Sequence, residues 1–196
     1  MMSLLKNHKN GLLQEISRRQ LLKIGLITAA SGIIPCKTMA SIQDFLYDER
    51  VLCIYNLHTE EYVDVVYWKN GKYQQDALKD MNYIFRDHYN GAVKSIDRKL
   101  LDFLYAIQQR LQCKEPFQLI SGYRSPATNA KLRKNNRGVA KRSLHMKGKA
   151  ADIRLPANKL QDLRRAAYEL NGGGVGYYPR SNFVHVDVGR VRFWGS

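Results

Sequence analysis

Ser143-Leu144-His145-Met146-Lys147-Gly148-Lys149-Ala150-Ala151-Asp152 sets a histidine and an aspartate seven positions apart, with a glycine between them. The apolar run from Ala150 to Leu155 closes at Pro156 and predicts a short strand entered from a loop. Further on, Phe183-Val184-His185-Val186-Asp187-Val188 alternates, which predicts a second strand. Val184, Val186 and Val188 share one face of it; Phe183, His185 and Asp187 share the other. Two histidines and one carboxylate, His145, Asp152 and His185, form a three-ligand set that suits a catalytic zinc with water in the fourth position. The bland alternative is a surface loop histidine, a solvated aspartate and a hydrogen-bonded strand histidine, and spacing alone does not choose between them.

The rest of the chain surrounds these strands with mixed elements. Val51 to Asn56 and Glu61 to Trp68 read as strands, and Asn70-Gly71 is a hairpin turn leading into a short return strand, Lys72 to Gln75. Asp76 to Asp87 has near-helical apolar spacing, with Asp76 as a plausible N-cap. Ile96 to Leu111 is the clearest helix: Leu100, Leu101, Leu104, Ile107 and Leu111 make one stripe, and Asp97 can start it. Phe117 to Ser121 is a strand, Pro126 opens the helix Ala127 to Lys134, and Asn135 to Arg142 is a polar, basic loop. Ala157 to Leu170 is a further helix, stopped by Gly172-Gly173-Gly174. Gly174 to Tyr178 and Phe183 to Val188 flank a tight turn, and Val191 to Trp194 closes the chain. This mixture predicts an α+β domain: a central antiparallel sheet with helices packed on one side.

Five stretches in order resemble the MepK-type murein endopeptidases of the LAS metallopeptidase group, which includes lysostaphin, D-Ala-D-Ala peptidases and hedgehog. They are Ser121-Gly122-Tyr123-Arg124-Ser125, Ser143-Leu144-His145, Gly148 to Asp152, Gly173-Gly174-Val175-Gly176-Tyr177-Tyr178, and Phe183-Val184-His185-Val186-Asp187. The resemblance runs from about Leu52 to Trp194. It implies a hedgehog- or D,D-peptidase-like fold, and a zinc peptidase that cuts cross-linking peptides of peptidoglycan with a zinc-activated water. The favoured bond joins two diaminopimelate residues, or a diaminopimelate and D-alanine. The resemblance puts the three zinc ligands on His145, Asp152 and His185, the same set the residues suggest. It makes Ser143 and Tyr123 candidate substrate contacts, and Arg124 a candidate stabiliser of the negative charge that builds on the scissile carbonyl oxygen. Arg124 is equally a substrate-carboxylate clamp or a surface arginine, and Ser143 equally a loop hydrogen bonder. Relatives keep a general base three or two residues before the last histidine, where this chain has Asn182 and Phe183. Asp187 is the remaining nearby carboxylate, either the base or a group that orients a metal histidine. His58 and His88 match the family pattern and read as structural. Rival readings are a D,D- or L,D-carboxypeptidase that trims stem peptides, and a peptidoglycan-binding module without turnover.

Residues 1–40 read as a twin-arginine signal peptide. Ser17-Arg18-Arg19-Gln20-Leu21-Leu22-Lys23 carries the pair, an apolar run too short for a span follows, and Thr38-Met39-Ala40 offers a cleavage site. Residues 41–196 are then the zinc metallopeptidase domain, exported to the periplasm through the Tat machinery, with no membrane span after signal removal. Pro35 before Cys36 argues against a lipobox. Cys53 and Cys113 fit a disulfide or buried free thiols equally well. The chain carries 32 Lys and Arg against 17 Asp and Glu; residues 41–196 keep 26 against 16, a net charge of +10. Such a balance favours anionic partners, here peptidoglycan carboxylates or an anionic membrane surface. No interleaved basic and aromatic stretch marks a nucleic-acid binder.

Overall fold

The computed structural model describes residues 49–136, 138–156 and 160–195. The twin-arginine signal (residues 1–40), its cleavage site, Cys36 and residues 157–159, where the further helix was expected to begin, lie outside the described residues. In chain order the elements are β1 (Glu49–Asn56), β2 (Tyr62–Lys69), β3 (Lys72–Tyr73), α1 (Gln75–Ile84), α2 (Arg98–Leu111), β4 (Phe117–Ser121), α3 (Pro126–Asn135), β5 (Ala150–Arg154), α4 (Leu160–Leu170), β6 (Gly174–Tyr178), β7 (Phe183–Asp187) and β8 (Arg192–Trp194). Short 3-10 helices occupy Leu144–Lys147 and Pro179–Ser181.

The strands form one sheet in the order β3-β2-β1-β4-β5-β7-β6-β8. Its alternation is plain in β1, where Leu52 and Ile54 are buried between partly exposed neighbours, and in β7, where Val184 and Val186 enter the core. The apolar face packs against α1, α2 and α4, which contribute Met81 and Ile84, then Leu100, Leu101, Leu104 and Ile107, then Leu163 and Ala167. The opposite face is left for polar side chains of β5 and β7, because successive residues of a strand point to opposite sides.

The class is α+β as the pattern predicts, and most neighbours are antiparallel. Two pairs, β1 with β4 and β6 with β8, are parallel. Between β1 and β4 the chain passes through a hairpin and two helices, a crossover long enough to return in the same direction. Between β6 and β8 the chain doubles back through β7. Asp76 does not cap α1: it lies in the first turn, and the cap is Gln74, without a side-chain bond. Asp97 does cap α2, its carboxylate accepting from the Lys99 amide at 3.0 Å. Asn70 and Gly71 both have positive φ, 51° and 77°, as their hairpin turn requires. Cys53 and Cys113 are free thiols. Burial, with a bond from Cys53 Sγ to Asp64 Oδ1 at 3.0 Å, pushes the Cys53 thiol up to about 11. Among the described residues no helix is long and apolar enough to cross a membrane.

One polar cluster ties α2 to the outer strands. Asp102 of α2 accepts from Arg50 of β1 at 2.8 Å, Tyr67 of β2 at 3.1 Å and Tyr73 of β3 at 2.6 Å. Burial first, and the Asp102 charge second, push both phenols above the usual tyrosine range, Tyr73 to about 12. A raised folded pKa means the protonated hydroxyl favours the fold. That contribution is complete below the unfolded value of about 10 and is lost as pH climbs through the folded values. Denaturant melts should therefore show stability falling between about pH 10 and pH 12, less steeply in the Tyr67→Phe/Tyr73→Phe protein. Equal slopes in the two proteins would remove these tyrosines from the account.

Candidate active site

Register builds the centre of the site. In the antiparallel pair β5 and β7, Asp152 stands opposite His185 and Ala150 opposite Asp187. On β6, Gly176 faces His185 and Gly174 faces Asp187; on β8, Trp194 and Arg192 end the same two rows. Residues directly opposite in such pairs have Cβ atoms about 5 Å apart, close enough for their side chains to share one ligand.

His145 comes to this face from the 3-10 helix Leu144–Lys147. Ser143 caps that turn, its Oγ accepting from the His145 amide at 3.3 Å. Gly148 ends it with φ +65°, pressed so closely on Ser95 that a Cβ would lie 2.5 Å from the Ser95 carbonyl oxygen. The Gly148 carbonyl accepts from the Asp97 amide at 2.8 Å, and Lys149 pairs with Asp97 at 3.3 Å, fastening the turn to the start of α2. His145 Nδ1 donates to the Gly122 carbonyl at 2.7 Å, which aims Nε2 into the site.

There Nε2 of His145 lies 3.2 Å from His185 Nδ1 and 3.3 Å from Asp152 Oδ1, and His185 Nδ1 lies 2.8 Å from the same carboxylate oxygen. One donor atom from each residue falls within 4.8 Å of the others. Two imidazoles and a carboxylate at that spacing fit a borderline divalent cation such as zinc. Burial pulls the His145 imidazole below its usual range, Asp152 opposing it. Burial alone would raise the Asp152 carboxyl, but the His145 and His185 rings hold it well below the carboxylate range.

Two arginines neutralise the two buried acids. Arg124, on the loop after β4, pairs its guanidinium with Asp152 Oδ2, and its Nε donates to Ser121 Oγ at 2.8 Å. Asp187, fully buried, accepts from Arg192 at 2.6 and 3.0 Å, and from the Gly189 and Gly174 amides at 2.8 and 3.2 Å. Its Oδ2 also lies 3.0 Å from His185 Nε2. Burial works against the Asp187 charge, yet His185 and Arg192 keep it far below the usual range. His185 Nδ1 thus faces the centre while Nε2 is held from behind.

A sequence profile for the family described as peptidoglycan L,D-endopeptidase MepK matches residues 46–194. The chain belongs to that family. Peptidoglycan L,D-endopeptidase MepK of Escherichia coli (strain K12) is 43% identical over 180 residues, covering 92% of this chain and 98% of that protein. The probable peptidoglycan L,D-endopeptidase MepK of Haemophilus influenzae is 37% identical over 179 residues, covering 91% and 95%.

For this member of the MepK family the structure gathers His145, Asp152, His185, Arg124 and Asp187 into one cluster. Ser143 borders it, buried, with its hydroxyl turned to the His145 amide. Tyr123 is half-buried beside Arg124, its amide donating to the Phe85 carbonyl at 2.7 Å. Asn182 is exposed on the turn before β7 with φ 53°, and Phe183 stacks on Tyr178 at 4.6 Å. His58 and His88 stack on each other at 3.9 Å, and burial, with the nearby Arg124 charge adding to it, holds the His88 imidazole below its usual range. Sequence reading missed Arg192 and Trp194. Trp194 packs its ring 5.3 Å from that of His185 and donates from Nε1 to the Tyr178 hydroxyl at 2.8 Å. The available signal was Gly174-Val175-Gly176, two residues without side chains on the strand that Arg192 and Trp194 overlie.

At Gly174 an added Cβ would meet Asp187 Oδ2 at 2.4 Å and an Arg192 guanidinium nitrogen at 2.5 Å. Gly174→Ala should therefore destabilise the fold by about 1–3 kcal/mol, the usual scale of overpacking. Denaturant melts check it, and a protein as stable as the parent would show that the Asp187–Arg192 pair is not tightly enclosed.

Proposed function

We propose that this chain is a periplasmic zinc endopeptidase that hydrolyses L,D-peptide bonds in peptidoglycan cross-links. The reading rests on the convergence of two imidazoles and a carboxylate beside a half-buried arginine, in a chain whose relatives carry that activity in their names. His145 through Nε2, Asp152 and His185 through Nδ1 would hold the ion. When bound, zinc supplies a Lewis acid that polarises a carbonyl and makes water a competent nucleophile near neutral pH.

The remaining residues divide the work by what they can reach. Arg124 has a fixed guanidinium at the edge of the cluster, suited to the charge that grows on the scissile carbonyl oxygen. Asp187 acts behind His185: five hydrogen-bonding contacts engage its two oxygens, so it sets the ring's orientation rather than accepting the proton from water. Ser143 acts through the turn that carries His145, and Tyr123 is the substrate contact beside Arg124. Export by the twin-arginine route would bring the protein to peptidoglycan.

Purified residues 41–196 should hold about one zinc per chain, and His145→Ala and His185→Ala should each lose most of it by elemental analysis. Full zinc in both variants sinks the ligand set. Asp187→Asn should bind zinc roughly ten- to a hundredfold more weakly, with cleavage of a defined cross-linked muropeptide partly restored by added zinc. Normal zinc with a roughly hundredfold loss of turnover would instead make Asp187 the base. Replacing Arg18-Arg19 by Lys-Lys should leave precursor in the cytoplasm, and normal export in cells lacking the Tat translocase would reassign the route.

A further inference from the structure

Positive charge is not spread evenly over this protein. Between Pro116 and Ala151 there are nine Lys and Arg and no Asp or Glu, while the rest of residues 41–196 has 17 against 16. One stretch therefore carries nearly the whole excess. Elsewhere arginines and lysines are often mated, as in Arg86 with Glu61, Arg110 with Glu169 and Lys69 with Glu49. Within the stretch, Arg124 and Lys149 have acidic partners. Lys131, Arg133, Lys134, Lys141, Arg142 and Lys147 are exposed, and none has an ion-pair partner among the described residues.

The segment presenting these charges is not built for the core. In α3 only Thr128 and Asn129 are buried. Polar ties hold the helix at its start: the Ser125 amide donates to Asp87 at 2.8 Å, Asn90 donates to Ser125 Oγ at 2.9 Å, and Asn129 donates to the Ala140 carbonyl at 3.2 Å. Arg124 precedes this helix and Ser143 follows the loop after it, so both ends of the basic segment are fixed at the candidate active site. Ten helical residues span only about 15 Å, so the cations stand within a short reach of the scissile bond. Like charges this close repel within about one Debye length; the C-terminal end of the helix eases Arg133 and Lys134, and a polyanion would relieve the rest.

We propose that α3 and the loop to Ser143 form a docking surface for the free carboxylates of peptidoglycan stem peptides, holding the substrate beside the catalytic cluster. This rests on the function proposed above. Carboxylates are favoured over an anionic lipid surface because α3 has no apolar face to enter a bilayer, whereas membrane-surface helices pair a basic face with one.

The test uses zinc-loaded residues 41–196 and the variant Lys131→Gln/Arg133→Gln/Lys134→Gln/Lys141→Gln/Arg142→Gln, none of which touches the cluster. Both are sedimented with purified sacculi, with sacculi whose carboxylates have been amidated, and with phosphatidylglycerol vesicles. The parent should bind native sacculi about tenfold more tightly than the variant at low salt, with the gap closing near 0.5 M salt, where screening is nearly complete. Amidation should erase the same difference, while zinc content and thermal midpoint stay equal. Equal binding of both proteins to native sacculi overturns the proposal, as does a difference confined to the vesicles. Cleavage of a soluble cross-linked dimer is followed separately. If the parent cleaves nothing, the proposed activity fails, and the sedimentation result still decides the docking surface.

Discussion

The antiparallel register of β5 against β7 is the constraint on which the site depends. It puts Asp152 directly across from His185. A slip of one residue would send one of the pair to the opposite face of the sheet, because side chains alternate with period two. The register is held from the other side: Ala151, Ile153, Val184 and Val186 are fully buried in the core and leave no room for a shifted strand. The same hydrophobic packing that stabilises the domain thus spaces the two donor groups.

Placing charge at such a spot is costly, and the fold answers it locally. Asp152 and Asp187 are buried acids, and each meets a guanidinium from a different element, Arg124 from the loop after β4 and Arg192 from β8. Buried ions are tolerated when geometry and further hydrogen bonds satisfy them, and costly when one partner is removed. The Gly174 and Gly189 amides, the Ser121 hydroxyl and the Gly122 carbonyl supply those further bonds. Four of the groups around the centre are therefore backbone or small side chains, whose identity a list of chemically reactive residues does not reveal.

That accounts for what could be read from the sequence. The trio His145, Asp152 and His185 was suggested by donor chemistry, with strand alternation placing only His185 and Asp152, and the family resemblance chose it over the bland alternative. The stripe of α2, its Asp97 cap and the Asn70-Gly71 turn were legible because each is a local pattern with a local cause. The parallel pairing of β1 with β4 was not, since it depends on where a chain returns after two helices. Asp76 misled because an acid in the first turn of a helix and an acid at its cap look alike in sequence. Arg192 was invisible as a partner of Asp187 until β8 was seen beside β6. The Asp102 cluster required three strands to be brought to one helix.

The joint between Asp97 and Gly148 has a further consequence. The start of α2 and the turn that carries His145 share one backbone hydrogen bond and one ion pair. The ends of helices open more readily than their middles, through sub-global fluctuations that leave the remaining core intact. Fraying of that first helical turn would remove one anchor of the turn, while the bond from His145 to the Gly122 carbonyl and the sheet stay in place. The helix cap would then govern how firmly the histidine is held at temperatures well below bulk melting.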